Sequence, residues 1–219
     1  MSARSISAAL AGVPVGMQGQ GIWLGRRQVF VRFAGEGETA TLYSADGLRG
    51  ELKRLLQKSG CHSICICGRD VLGNADYVAA LFNEWEPPVP VLLDTDGQRP
   101  DAVADVGRSV SLIQVSLDFR GPDSLAERGV QTLGAAMQQG FTQALILSPG
   151  EETSDGQLLR VVEKAHVASA GVSVVVHPYI GGASGSTLDR RWSALLDQMQ
   201  LLHGDVRIML RIPPPAGMK

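Results

Sequence analysis

The sequence predicts an α/β protein, a partial (β/α)6-type barrel of parallel strands opened by an N-terminal β-hairpin. Three observations carry this. Apolar, β-branched runs alternate with helical patterns almost from end to end. The runs are apolar along their whole length, as strands covered on both faces are. Six βα units followed by a seventh strand suit a barrel better than a short open sheet.

The expected strands are residues 28–33, 63–67, 89–94, 112–118, 143–147, 172–177 and 206–212. Helices are expected at 48–58, 75–85, 100–106, 124–139, 155–170 and 187–202, the third being the shortest. Leu48, Leu52, Leu55 and Leu56 show the three-and-four spacing of a buried helical stripe. Gly60, Gly140 and Gly171 stand where a glycine ends a helix. The hairpin is expected around Gly25. No linker, repeat or low-complexity stretch divides the chain, so residues 1–219 are expected to form one domain with loose ends at 1–15 and 213–219.

Composition narrows the function. The chain has 219 residues, 44% of them hydrophobic, enough for a sizeable core. A net charge of −2 gives no bulk attraction to nucleic acid or anionic lipid, and 5% aromatic residues are too few for a base-stacking surface. No apolar run approaches the ~20 residues of a membrane span. The mildly apolar start is broken by Gly12 and Pro14, so no signal peptide is expected. Three closely spaced cysteines argue against a disulfide framework and for a cytoplasmic protein.

In a barrel, chemistry gathers at the C-terminal ends of the strands. Those ends carry Gly35 to Glu38, Gly68 to Asp70, Asp94 to Gly97, Ser116 to Asp118, Ser148 to Glu151 and His177 to Tyr179. From this rim Asp94, Asp118 and His177 are the candidate catalytic or ligand-binding residues, with His177 a general base if a carboxylate lies beside it. The competing reading of His177 is a histidine satisfied by a backbone carbonyl.

Four further features have a sharp and a plain reading. Cys61, Cys65 and Cys67 could ligate a metal, but period-two geometry places them on one strand face as small buried hydrophobes. Glu36 and Glu38 could hold a cation with Asp70 or Asp94, against a solvated acidic loop. The glycine- and serine-rich run 181–187 could cradle phosphate, against a loop with Ser186 or Thr187 as N-cap. Arg207 and Arg211 could reach an anion, against salt bridges at a barrel edge.

The run from Gln18 to Gly35, QGQGIWLGRRQVFVRFAG, resembles the start of 7-carboxy-7-deazaguanine synthases, organic-radical-activating members of the radical S-adenosylmethionine (SAM) superfamily. Gly19, Gly21, Gly25, Phe30, Val31, Arg32 and Gly35 fall at the family's spacing, and Gln20 replaces a glutamate. Weaker likenesses follow at Cys67 to Gly73, at LDTDG ending in Gly97, and at VSLD ending in Asp118. The resemblance implies a cluster loop in which three cysteines hold a [4Fe–4S] cluster and the cluster binds SAM. Here those positions are Glu36, Ala40 and Tyr43. The SAM-contact motif is degenerate, with Gly68 kept, Arg69 in place of a glycine and Asp70 in place of a glutamate.

The expectation is therefore a radical-SAM-like fold with no [4Fe–4S] cluster and weak or absent SAM binding. It would serve as a non-catalytic binding or regulatory partner, for instance of an active radical enzyme, or pair as a homodimer; nucleic acid and membrane are not expected partners. The alternatives are a cluster-independent enzyme or small-molecule binder using the barrel mouth, and a divergent synthase-like enzyme.

Overall fold

The structure, a computed structural model, describes residues 6–119, 123–178 and 185–210. The chain opens with β1 (Ser7–Gly12), β2 (Val15–Met17), β3 (Arg27–Phe33) and β4 (Thr41–Ser44). It continues with α1 (Ala45–Ser59), β5 (Ser63–Gly68), α2 (Ala75–Phe82), β6 (Val91–Thr95) and β7 (Leu112–Asp118). After these come α3 (Asp123–Gln138), β8 (Thr142–Ser148), α4 (Asp155–Ala168), β9 (Ser173–Val176), α5 (Gly185–Leu202) and β10 (Val206–Ile208).

One sheet contains every strand, in the order β10-β9-β8-β7-β6-β5-β3-β1-β4, with β2 also on β3. From β3 to β10 the pairs are all parallel and follow chain order. A doubly wound sheet would reverse its order at a switch point; this one does not, as a partial barrel requires. β1 and β2 lie end to end along β3, antiparallel to it, with a register break at Gly12. The loop from β2 to β3 contains Gly25, so the expected hairpin is present.

Strand parity sorts the core. Val29, Val31, Ile64, Ile66, Leu93, Ile113, Val115, Leu145, Leu147, Val174 and Val176 face the helices and pack on Leu48, Leu52, Val78, Leu81, Leu133, Val162 and Leu195. The alternate residues Cys65, Leu92, Leu112, Ala144, Ile146 and Val175 form a smaller inner cluster. A sheet buried on both faces explains the unbroken apolar runs. Helix ends are set locally. Ser44 caps α1 by accepting from the Gly47 N–H (3.1 Å), and Ser154 and Gln157 form a capping box on α4. Each such cap contributes about 1 kcal/mol.

The structure corrects four expectations. The N-terminal segment is not loose from residue 7 onward: alternating burial of Ala8 and Leu10 makes β1 a strand between β3 and β4. β4 was not foreseen, because four half-polar residues carry too little pattern. Residues 100–105 form a 3-10 turn after Arg99 rather than an α-helix. The helix of the sixth unit starts at Gly185, so Ser186 and Thr187 fall in its first turn rather than at its cap. Tyr179, residues 181–184, Arg211 and the tail 213–219 lie outside the described residues.

Candidate functional site

The loop between β2 and β3, residues 18–26, lies against the inner face of the sheet. Its own backbone closes it: Gln18 N–H donates to the Arg26 carbonyl and Gly25 N–H to that of Gln18, both at 2.8 Å. Ile22 and Trp23 join the inner apolar cluster, and Trp23 meets His62 edge-on at 5.1 Å. Below it, Gln18 donates to Gln28 (3.1 Å) and Gln28 to Ser63 (2.7 Å), a row of buried amides and a hydroxyl.

Two of the three candidate rim residues meet on neighbouring residues of this loop. Asp94, the last residue but one of β6, accepts from Gln20 Nε2 at 3.1 Å and from the Ser116 hydroxyl at 2.6 Å. His177, just past β9 and 4% exposed, accepts at Nε2 from the Gly21 N–H at 3.0 Å. Its Nδ1 lies 2.8 Å from the Met209 carbonyl. A carbonyl only accepts, so the network assigns the proton to Nδ1 and leaves Nε2 as acceptor, a neutral imidazole. With both ring nitrogens engaged by backbone, His177 clasps the loop. Asp118 is exposed at the last position of β7, whereas the other two turn to the loop.

Sequence reasoning missed Gln114. It is 1% exposed, in the middle of β7, and neither amide atom has a hydrogen-bond partner among the described residues. It lies directly under Gly21: a Cβ there would come 2.0 Å from its Oε1. A glutamine inside the apolar run Leu-Ile-Gln-Val was the signal available. Gln20, Gln18 and Gln28 were also not singled out as side chains with partners.

The other candidates are spread apart. Cys65 and Cys67 point to the inner face, but Cys61 packs in the helix-side core. Cys61 precedes β5, so strand parity does not reach it, which corrects the one-face expectation. Hydrogen bonding to Cys67 and complete burial push the Cys65 thiol well above its usual pKa. Glu38 is paired with Arg32 and accepts from the Gly35 N–H (2.8 Å). Asp70 is held by Arg99 in a two-pronged pair at 2.6 and 2.7 Å. Three of the carboxylates considered for a cation, Glu38, Asp70 and Asp94, thus have separate attachments, and Glu36 is exposed. Arg207 pairs with Asp205 at 3.0 Å.

The residues at the resemblance's cluster positions do not fit an iron–sulfur cluster. Glu36 and Ala40 are exposed in the turn after β3, and alanine has no donor atom. Tyr43 lies within β4, paired with Ala8. Partial burial and Glu51 hold its phenol above the usual value, which disfavours the phenolate a metal would need. At the SAM-contact positions Arg69 is exposed, and Arg99 takes the Asp70 carboxylate and holds its pKa low. Gly68 has a backbone reason to be glycine: its φ is 105°, and a Cβ would meet the Phe33 carbonyl oxygen at 2.3 Å.

Sheet order, hairpin and inner-face loop together define an α/β protein with a partial parallel barrel. No protein-family model matches the chain. It is similar to the 7-carboxy-7-deazaguanine synthase of Methanothermobacter thermautotrophicus, 26% identical over 201 residues, covering 85% of this chain and 76% of that protein. Its fold is similar to that of QueE from Escherichia coli, with a TM-score of 0.56 at 10% identity, covering 94% of this chain and 95% of that one. The fold is radical-SAM-like, as the opening motif implied.

Proposed function

We propose that this chain is a radical-SAM-like fold that works without the cluster, as a non-catalytic binding or regulatory partner of another protein. The carrying observation is the segment 34–44. Where the resemblance calls for a loop that wraps iron, Glu36 and Ala40 are exposed and Tyr43 is a strand residue on the sheet edge. The Asp70–Arg99 pair supports the same reading, since it engages the carboxylate that would hold the SAM amino group. β4 leaves a short edge with Leu42 74% exposed, a surface another chain can meet.

The test is reconstitution. After anaerobic incubation with iron and sulfide, the protein should lack the broad absorbance near ~400 nm of iron–thiolate charge transfer. Calorimetry should find SAM binding weaker than ~100 μM, less than roughly 5–6 kcal/mol. Stoichiometric iron that is lost on replacing Cys65 and Cys67, or micromolar SAM affinity, would refute the proposal.

A second reading, a small-molecule binder at the strand ends, is favoured by the meeting of Asp94 and His177 on Gln20 and Gly21. It expects a ligand-dependent rise in melting temperature that Asp94→Asn abolishes without loss of fold.

A further inference from the structure

α4 and α5 end side by side at the end of the barrel opposite the strand-end rim. His166, in the last turn of α4, is exposed. His203, immediately after α5, is 3% exposed. Their Nδ1 atoms face each other at 3.1 Å, with ring centroids 5.3 Å apart and planes at 59°.

His203 is fixed in place. Its backbone N–H donates to the Met199 carbonyl (2.9 Å), and its Nε2 lies 2.6 Å from the Val172 carbonyl. A carbonyl only accepts, so Nε2 carries the proton and Nδ1 presents a lone pair toward His166. This is how metal-binding histidines are oriented: one nitrogen donates to a backbone carbonyl, and the other is turned outward as a ligand.

We propose that His166 and His203 form a site for a borderline divalent transition-metal ion such as Zn²⁺. The distance suits it. With Zn–N bonds of about 2.0–2.1 Å, two ligand nitrogens stand about 3.3 Å apart at a tetrahedral angle and about 2.9 Å apart at a right angle. The observed separation falls between these. His166 moves its proton from Nδ1 to Nε2 by exchange with water, so both imidazoles ligate in the neutral form. His166 pivots on the helix surface to bring its lone pair round, and His203 stays as it is.

Among the described residues no third His, Cys, Asp or Glu joins the pair, so water takes the remaining positions. Asp205 nearby is engaged by Ser173 and Arg207, and Lys164 by Glu127. A donor set of imidazole and water selects Zn²⁺, Ni²⁺ or Cu²⁺ over Mg²⁺.

The test uses the full chain, free of any affinity tag, with its thiols reduced. Titrated with ZnCl₂ in a calorimeter, the wild type should bind one ion per chain, and about 100 μM free Zn²⁺ should raise its melting temperature by a few degrees. His166→Ala, on an exposed position, should fold normally and bind at least ~10-fold more weakly. His203→Gln should lose the ion as well, and His166→Ala decides the matter if that variant does not fold. Mg²⁺ at the same concentration should have no effect. No stoichiometric binding by the wild type, unchanged binding by His166→Ala, or an equal response to Mg²⁺ would overturn the proposal.

Discussion

Gly21→Ala tests the packing of the inner-face loop directly. Gly21 is buried with φ at 75°, and its N–H is the donor that reaches His177. A left-handed conformation costs a residue with a Cβ about 1–2 kcal/mol. The new methyl would also stand 2.0 Å from Gln114 Oε1 and 2.8 Å from its Cδ, so something must move. Overpacking of this kind costs about 1–3 kcal/mol. The sum is about 2–5 kcal/mol, a large share of the roughly 5–15 kcal/mol by which a folded domain is stable. Gly25→Ala is the control. Its φ is 79°, but nothing lies within 4 Å of the added carbon. It should lose only the backbone part, about 1–2 kcal/mol. Urea unfolding measures both. At a slope of about 2–3 kcal/mol per molar, the Gly21 variant should shift the midpoint down by about 1–2 M, well beyond the control. Adding Gln114→Ala to Gly21→Ala should recover part of the difference, since the two sites are in contact. Equal destabilisation by the two glycine variants, within about 0.5 kcal/mol, would refute the argument that the loop is seated on Gln114.

Two further outcomes follow from the same geometry. Gln114→Met keeps the volume and removes a buried amide without partners, so unfolding should show a gain of about 1–2 kcal/mol; a loss would mean that the amide is satisfied in solution. Asp70→Asn should remove a pH-dependent contribution. The Arg99 hydrogen bonds and charge lower the Asp70 pKa in the folded state, so the stabilisation is present above the unfolded value of about 3.9 and is lost as pH falls through the folded one. The gap in melting temperature between wild type and variant should therefore be open at neutral pH and close in acid. It should be small, because both side chains are substantially exposed.

Much of the candidate site was visible in the sequence as position and little of it as partnership. Asp94 and His177 were identifiable because each follows an apolar run and so ends a strand. What they do there was not legible, since the residues they meet, Gln20 and Gly21, are 74 and 156 positions away in the chain. The same limit applies to Asp70. Its type suggested a weakened ligand, but its partner Arg99 comes from the next βα unit and had no distinguishing context.

The sequence by itself determined the parallel strands, their order and five of the helices, because hydrophobic period and helix ends are local properties that act over a few residues. It also determined that alanine stands at a position where the resemblance demands a metal ligand. Only the tertiary structure decided the rest. It made residues 7–12 a strand between β3 and β4 and placed Cys61 on the opposite side of the sheet from Cys65. It turned the Tyr43 segment into a strand and brought His166 against His203. These are contacts between segments that carry no mutual signal in the chain. Each exists because burying one side chain fixes where its neighbours can go.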